Sequence, residues 1–471
     1  MKKHFMMQAS EPHRFVRSCN FFGWILILCS SVLLGIWAVK GTIALRNILL
    51  IFETGLSFIY FYQFFKLNLK VPLKNWTPLF FLVLMLFGVI FHYLFLSRFP
   101  DQQLNELTST WFRSGLAMIV GAGTGFAILR KPNAINFLWI GLLGSFLFLF
   151  YQYIPKAIAL ESLFAPDYVN YIFYGKVSGV LAGTIFVMGL LGTMLDTAKR
   201  GYAIPTVWVA ILTVAGLIIT LYMDVFIFDA RNGVGLAVIL LTIFCFIFIA
   251  RYLMDHFGRL RAERFNIARS ILLLLFVTIL ILVTAWCVKE HVQHNSRWSS
   301  LWEDAKISVQ IEKYPHWQDP ERLGYPLNGS GQTVMASTYE RIAWATAGAT
   351  RFLPNHPYGL GVLKNPFTIL LREQYPNNVT YIPSSHSAWV EIGLAFGYPG
   401  LCLLLGALIS LGYLSVSTKN SFRSTALLFS LGLLCLYTVA EASSQHAIEM
   451  LFFLISMATA LLIPHKSQYS N

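Results

Sequence analysis

The chain has 471 residues, of which 56% are hydrophobic, 15% aromatic and only 12% charged, with a mean hydropathy of +0.62. Average soluble domains carry about 25% charged residues, so an ordinary soluble protein is excluded and lipid is the solvent for most of the surface. The formal net charge of +13 admits nucleic acid as a partner until the positions of the charges are known.

Windows of about 20 residues predict an all-α polytopic membrane protein with about twelve spans, near 21–39, 45–65, 77–97, 113–129, 133–153, 175–195, 203–223, 233–250, 268–287, 388–416, 424–440 and 447–463. Basic residues precede the first run, which is long and has no small-residue cleavage site after it, so it reads as an anchor and not a removed signal peptide. An even number of spans puts both termini on one side. Assigning that side to the cytoplasm places 19 Lys and Arg with 4 acids inside, against 16 bases and 18 acids outside. The split of +15 and −2 follows the positive-inside rule. The basic excess is membrane topology, and nucleic acid is dropped as a partner. Cys19, Cys29, Cys245, Cys402 and Cys435 lie in or beside apolar runs and Cys287 stands at a helix end, so neither a disulfide framework nor a Cys-x-x-Cys metal pattern is present.

The chain thus divides into spans one to nine (1–287), a large, partly helical outer loop (288–385) and spans ten to twelve (386–471). Loops of that length are usually functional. Within it, 333–352 reads as a helix, and 355–362 (NHPYGLGV) and 375–386 as turn-rich stretches. No internal repeat is visible, which speaks against an inverted-repeat transporter.

The densest chemical signal is HSAWVEIGLAFGYPG, residues 386–400, where His386 opens the tenth span. On a continuous helix Gly393, Gly397 and Gly400 fall within about 40° of His386, which predicts a smooth glycine groove below it. Gly393 and Gly397 equally make a GxxxG packing face. The positive end of the helix dipole favours a neutral imidazole able to accept a proton, while the same position suits a histidine that caps a helix at the water interface. Arg231 sits at the outer entrance of the eighth span, and Arg341 in the loop helix shares a face with Trp344, Ala345 and Gly348. Rim arginines often only anchor to lipid headgroups; functionally, a guanidinium is a two-pronged donor for phosphate. Arg351 is a third candidate, turned about 80° from Arg341 on the same helix.

Other groupings are weaker. Asp319-Pro-Glu321 reads as a solvated loop before a metal site, and His291 with His294 lacks a third ligand, so no metal and no cofactor is expected. Residues 359–362 (GLGV) follow no predicted strand and are not a dinucleotide fingerprint. Glu53 is expected to pair with an arginine, and Glu441, His446 and Glu449 to line the last outer turn.

His386-Ser387, nine residues, then Gly397-Tyr398-Pro399-Gly400 resembles the His-[Asn/Ser/Gln]-x9-Gly-x-x-Gly signature of the O-antigen ligases, the WaaL-type branch of the O-antigen polymerase/ligase superfamily. Arg231-Asn232-Gly233 resembles the family's Arg-Gly element, with Asn232 where a small residue is more usual. Arg341 with Trp344, followed by residues 356–361 (HPYGLG), resembles its Arg-x-x-x-Trp and Pro-x-Gly-x-Gly elements. The resemblance is specific over 225–400 and topological over 1–220. It implies a GT-C-like glycosyltransferase of the bacterial inner membrane, acting on the periplasmic side by metal-independent inversion. The implied donor is O-antigen on undecaprenyl pyrophosphate, and the acceptor a sugar hydroxyl of lipid A-core. Carried onto this chain, His386 is the base and Arg231 and Arg341 hold the pyrophosphate, with Arg351, Ser387, Trp344, Gly393 and Gly397 as further substrate contacts. The rival readings are an O-antigen polymerase, a protein O-oligosaccharyltransferase and, outside enzymes, a lipid-linked-sugar flippase or other transporter.

Overall fold

The computed structural model describes residues 11–67, 71–164, 172–200, 203–259, 267–378, 382, 384–442 and 445–464. Of the basic residues counted above, Lys2, Lys3, Lys70, Arg261, Arg264 and Lys466 lie outside them. Each apolar run forms a helix: α1 (Glu11–Ile36), α2 (Ile43–Leu67), α3 (Thr77–Phe95), α4 (Phe112–Arg130), α5 (Ile140–Ala159), α6 (Lys176–Arg200), α7 (Ala203–Tyr222), α8 (Arg231–Arg259) and α9 (Ile267–His294). After α10 (Ala336–Ala347) in the outer loop come α11 (Ala388–Ser417), α12 (Arg423–Leu436) and α13 (Gln445–Leu462). Among the described residues no strand forms, and two isolated bridges join Val39 to Phe173 and Leu327 to Thr333. The chain is an all-α polytopic membrane protein.

Nine of the apolar helices among the described residues are long and apolar enough to cross a membrane, and three, Phe21–Ile36, Arg423–Leu436 and His446–Leu462, are shorter. The last of these is a core element. From Ala447 to Ile463 nearly every side chain of this stretch is fully buried, as expected for a helix that is apolar all round. It lies along α4, where a Cβ at Gly121 would overlap the Phe453 carbonyl and one at Gly125 the Met457 carbonyl. Small residues four apart let two backbones touch, and here the pair is Gly121 and Gly125.

α12 has no side-chain cap of its own. Asp196 of α6 serves instead, accepting from Ser424 N–H (3.1 Å) and Thr425 N–H (2.8 Å) and from both hydroxyls. A carboxylate there satisfies donors that a helix start leaves orphaned. Asp196 is fully buried, so Asp196→Ala leaves those donors bare and is expected to cost about 2–5 kcal/mol. The loss would be read as a lower thermal-unfolding midpoint in detergent; Asp196→Asn, which keeps a carbonyl acceptor, should lose less. Glu53, expected to meet an arginine, is instead enclosed by α1, α2 and α4 and bonds the Ser30 hydroxyl, itself 2.7 Å from Thr124 Oγ1.

The outer loop has its own apolar core, built on Trp317, Tyr339, Trp344, Phe352, Phe367 and Leu370. Its predicted helix starts at Ala336 because Met335 is extended (φ −68°, ψ 118°). Buried Asp304 sets that start, accepting from Met335 N–H (3.1 Å), Ser300 Oγ (2.8 Å) and Asn328 Nδ2 (3.2 Å). Beyond Ala347 the helix widens into a π turn, Gly348–Phe352.

Candidate functional site

α11 is two helices end to end. Gly397 adopts φ 64°, ψ −162°, a conformation that only glycine reaches without strain. Pro399 lacks an N–H and leaves the Ala395 carbonyl without its helical donor. The 356–361 segment supplies the missing partners. Leu360 N–H donates to Leu394 O (2.9 Å) and Gly361 N–H to Ala395 O (2.7 Å), while Tyr398 N–H turns to Pro357 O (2.9 Å). Two motifs separate in sequence are thus halves of one junction, which seats the outer loop on α11.

The groove predicted below His386 does not form. His386 precedes the helix and has φ 56°, so helical phase does not reach it, and the break at Gly397 interrupts that phase again. A side chain at Gly393 would press on Leu401 and Leu353, and one at Gly397 would overlap the Pro357 carbonyl. Both positions are filled by protein and do not line an open channel.

His386 is held by three groups. Its backbone N–H donates to Ser384 Oγ (3.2 Å), its ring stacks on Trp344 of α10 (centroids 5.7 Å apart, planes 22° apart), and Nδ1 lies 2.7 Å from Glu441 Oε1 in the turn after α12. Trp344 is itself pinned by a bond from Nε1 to Trp317 O (2.9 Å). Burial pushes the Glu441 carboxyl up, but the hydrogen bond and charge of His386, with Arg341 and Ser384, outweigh it and hold Glu441 below the usual carboxylate range. An ionised carboxylate only accepts, so Nδ1 carries a proton, and Nε2 is the ring nitrogen left to exchange one. No described residue bonds Nε2, and the two side chains remain 15% and 26% exposed, which leaves the dyad reachable.

Arg341 acts on the dyad through Glu441, and Arg231 is in electrostatic reach of Arg341. Arg231, at the start of α8, donates from Nη1 to Arg297 O (2.7 Å) and from Nη2 to Thr338 Oγ1 (2.9 Å) and Ser337 Oγ (3.3 Å). It therefore ties the first turn of α10 to the membrane helices. Behind it Asp229 accepts from Asn295 Nδ2 (2.6 Å), lies 3.2 Å from His291 Nε2 and pairs with Arg297 at 3.7 Å. Burial pushes the Asp229 carboxyl up, yet His291, Asn295 and Arg297 bring it below its ordinary value. Arg341, one turn along α10, is repelled by Arg231 and attracted by Glu441 and Glu340. Burial lowers the Arg341 guanidinium against that attraction, though a guanidinium stays charged near neutral pH. No described residue hydrogen-bonds Arg341, and no described carboxylate bonds either arginine directly. Arg341 thus offers its donors to an anion near the His386–Glu441 pair.

Sequence reasoning placed His386, Trp344 and Arg341 in one site, and the structure brings these three together. Ser387 is buried just ahead of α11 and makes no cap bond. Arg351 belongs elsewhere: it meets Glu312 (3.4 Å) and lies over the Tyr375 ring (5.8 Å). It sits in the π turn, where the α-helical projection no longer holds. Asp319, read as solvated loop, is buried and pairs with Arg322 at 3.3 Å, while Glu321 is exposed. His291 and His294 diverge, the first toward Asp229 and Trp298, the second onto Phe164. His446 and Glu449 are buried in helix packing and do not line an open turn: His446 stacks on Tyr174, and Glu449 accepts from Arg113 Nε (2.6 Å) and Trp37 Nε1 (2.7 Å). Among the described residues, no group of three His, Cys, Asp or Glu is placed to hold a metal ion. The pairing of Glu441 with His386 and the Asp229 support were missed. The only available signal was that Glu441 and Asp229 also sit at outer ends of apolar runs.

The sequence matches no protein-family model and no curated protein. Fold and site together define a class: a polytopic helical membrane protein in which a His–Glu pair meets a tryptophan of the 288–385 loop, with Arg341 in electrostatic reach of the glutamate.

Proposed function

We propose that the chain is an O-antigen ligase of the WaaL type, a GT-C-like glycosyltransferase of the bacterial inner membrane with twelve spans, cytoplasmic termini and a periplasmic active site. The observation that carries this reading is the His386–Glu441 dyad beside Arg341, on the histidine that opens the family-like signature. The donor is O-antigen polysaccharide linked through its anomeric carbon to undecaprenyl pyrophosphate. A sugar hydroxyl of lipid A-core gives its proton to Nε2 of His386 as its oxygen bonds that anomeric carbon. The bond from the carbon to the pyrophosphate oxygen breaks on the opposite face, and the configuration inverts. Undecaprenyl pyrophosphate departs with the electron pair, its charge met by Arg341 directly and by Arg231 through its field. Glu441 keeps the proton of the imidazole on Nδ1 and steadies the imidazolium that forms.

The test is purified full-length chain given lipid-linked donor and lipid A-core, with and without EDTA. Polymer on lipid A-core, undiminished by EDTA, is the expected product. Longer polymer still on undecaprenyl would assign a polymerase, modified protein an oligosaccharyltransferase, and lipid translocation without a new glycosidic bond a flippase. Loss in EDTA with rescue by Mg²⁺ would overturn metal-independent transfer.

A further inference from the structure

Glu391 is fully buried in the first turn of α11, five residues after His386, and the chemistry above leaves it unused. It accepts a 2.6 Å hydrogen bond from the N–H of Ala442, itself fully buried and next in the chain to Glu441. The start of α11 is tied to α12 by two other contacts, Trp389 N–H to Tyr437 O (3.4 Å) and Trp389 Nε1 to Leu434 O (3.0 Å). Both fall short of the turn that carries Glu441. Joining the helices therefore does not require a buried carboxylate, which is unfavourable to desolvate. What Glu391 adds is a grip on the residue beside the dyad.

We propose that Glu391 is a positioning residue that fixes the Ala442 backbone so that the Glu441 carboxylate meets Nδ1 of His386. One helix turn then sets both members of the dyad, His386 through the chain leading into α11 and Glu441 through the Ala442 bond. A shift of Glu441 by about 1 Å would take a 2.7 Å contact out of hydrogen-bond range. The inference rests on His386 acting as the base in the proposed transfer.

The experiment compares Glu391→Ala, Glu391→Gln, Glu441→Ala and the Glu391→Ala/Glu441→Ala double variant in the full-length chain. The first readout is the rate of His386 carbethoxylation by diethylpyrocarbonate, followed by peptide mass spectrometry, because a carboxylate on Nδ1–H raises the nucleophilicity of Nε2. Glu391→Ala and Glu441→Ala should each slow it by about threefold or more, with no further loss in the double variant. Glu391→Gln keeps an acceptor oxygen and should stay near the parent rate. In transfer assays Glu391→Ala should lower kcat by about 10²-fold with little change in KM for donor. If Glu391→Ala does not insert, Glu391→Asp, whose carboxylate stops one methylene short of Ala442, carries the same comparison. Unchanged His386 reactivity in a folded variant, or additive losses in the double, would overturn the proposal. The expected reactivity pattern in a chain that transfers no glycan would overturn the ligase reading and leave the positioning role standing.

Discussion

His386→Ala is expected to insert, fold and bind donor, yet to lose transfer by about 10²–10⁴-fold, the usual worth of a positioned proton acceptor. The dyad sits at the edge of the loop core and not inside it, and the imidazole is partly exposed, so truncation should leave packing largely intact. Trp344 loses a stacking partner but keeps its bond to Trp317. Binding and chemistry should therefore separate, with single-turnover rates falling while donor affinity holds. Glu441→Ala should approach the same loss, because the ring would no longer be held in the tautomer that leaves Nε2 free. A folded His386→Ala that transfers at the parent rate would return His386 to the role of an interface cap and end the catalytic assignment.

The two arginines are expected to fail in different ways. Arg341 has no hydrogen bond to any described residue, so its donors are free for a ligand. Arg341→Ala should cost about 10²–10³-fold in transfer, in line with removing one preorganised donor from developing charge. Arg341→Lys should rescue poorly, since a point charge cannot reproduce a two-pronged contact. Arg231 already spends its donors on Arg297 O, Thr338 and Ser337. Its removal should therefore loosen α10 as well as weaken the positive field, so transfer falls together with faster limited proteolysis of the outer loop. Parent-level transfer by Arg341→Lys, or donor affinity unchanged in Arg341→Ala, would refute the phosphate-binding role.

The glycine positions show where reading by helical period stops. The spacing of Gly393, Gly397 and Gly400 is a property of the sequence, but projecting it onto one face assumes an unbroken helix. Gly397 permits a positive φ without requiring one. What makes the break is the docking of the 356–361 segment, whose N–H groups replace those that Pro399 and the kink remove. Arg351 fails for a related reason, because it lies within a π turn of five residues, Gly348–Phe352, where the α-helical angle per residue no longer applies.

What the sequence determined by itself was local or additive. Apolar runs become helices in lipid because the backbone must satisfy its own hydrogen bonds there, and that follows from composition alone. The loop's helix, read over 333–352 and found at Ala336–Ala347, and the grouping of His386, Trp344 and Arg341 were likewise legible from pattern and motif. Tertiary structure decided the partnerships. Glu441 lies 55 residues from His386, and Asp229 lies 62 from His291; nothing local in either segment names its partner. Which carboxylate meets which cation or imidazole depends on how helices distant in sequence are packed together. For that reason Glu441 proved to be the dyad's acid, while Glu449 and Glu53, carboxylates in similar apolar runs, were taken up by the packing of the bundle.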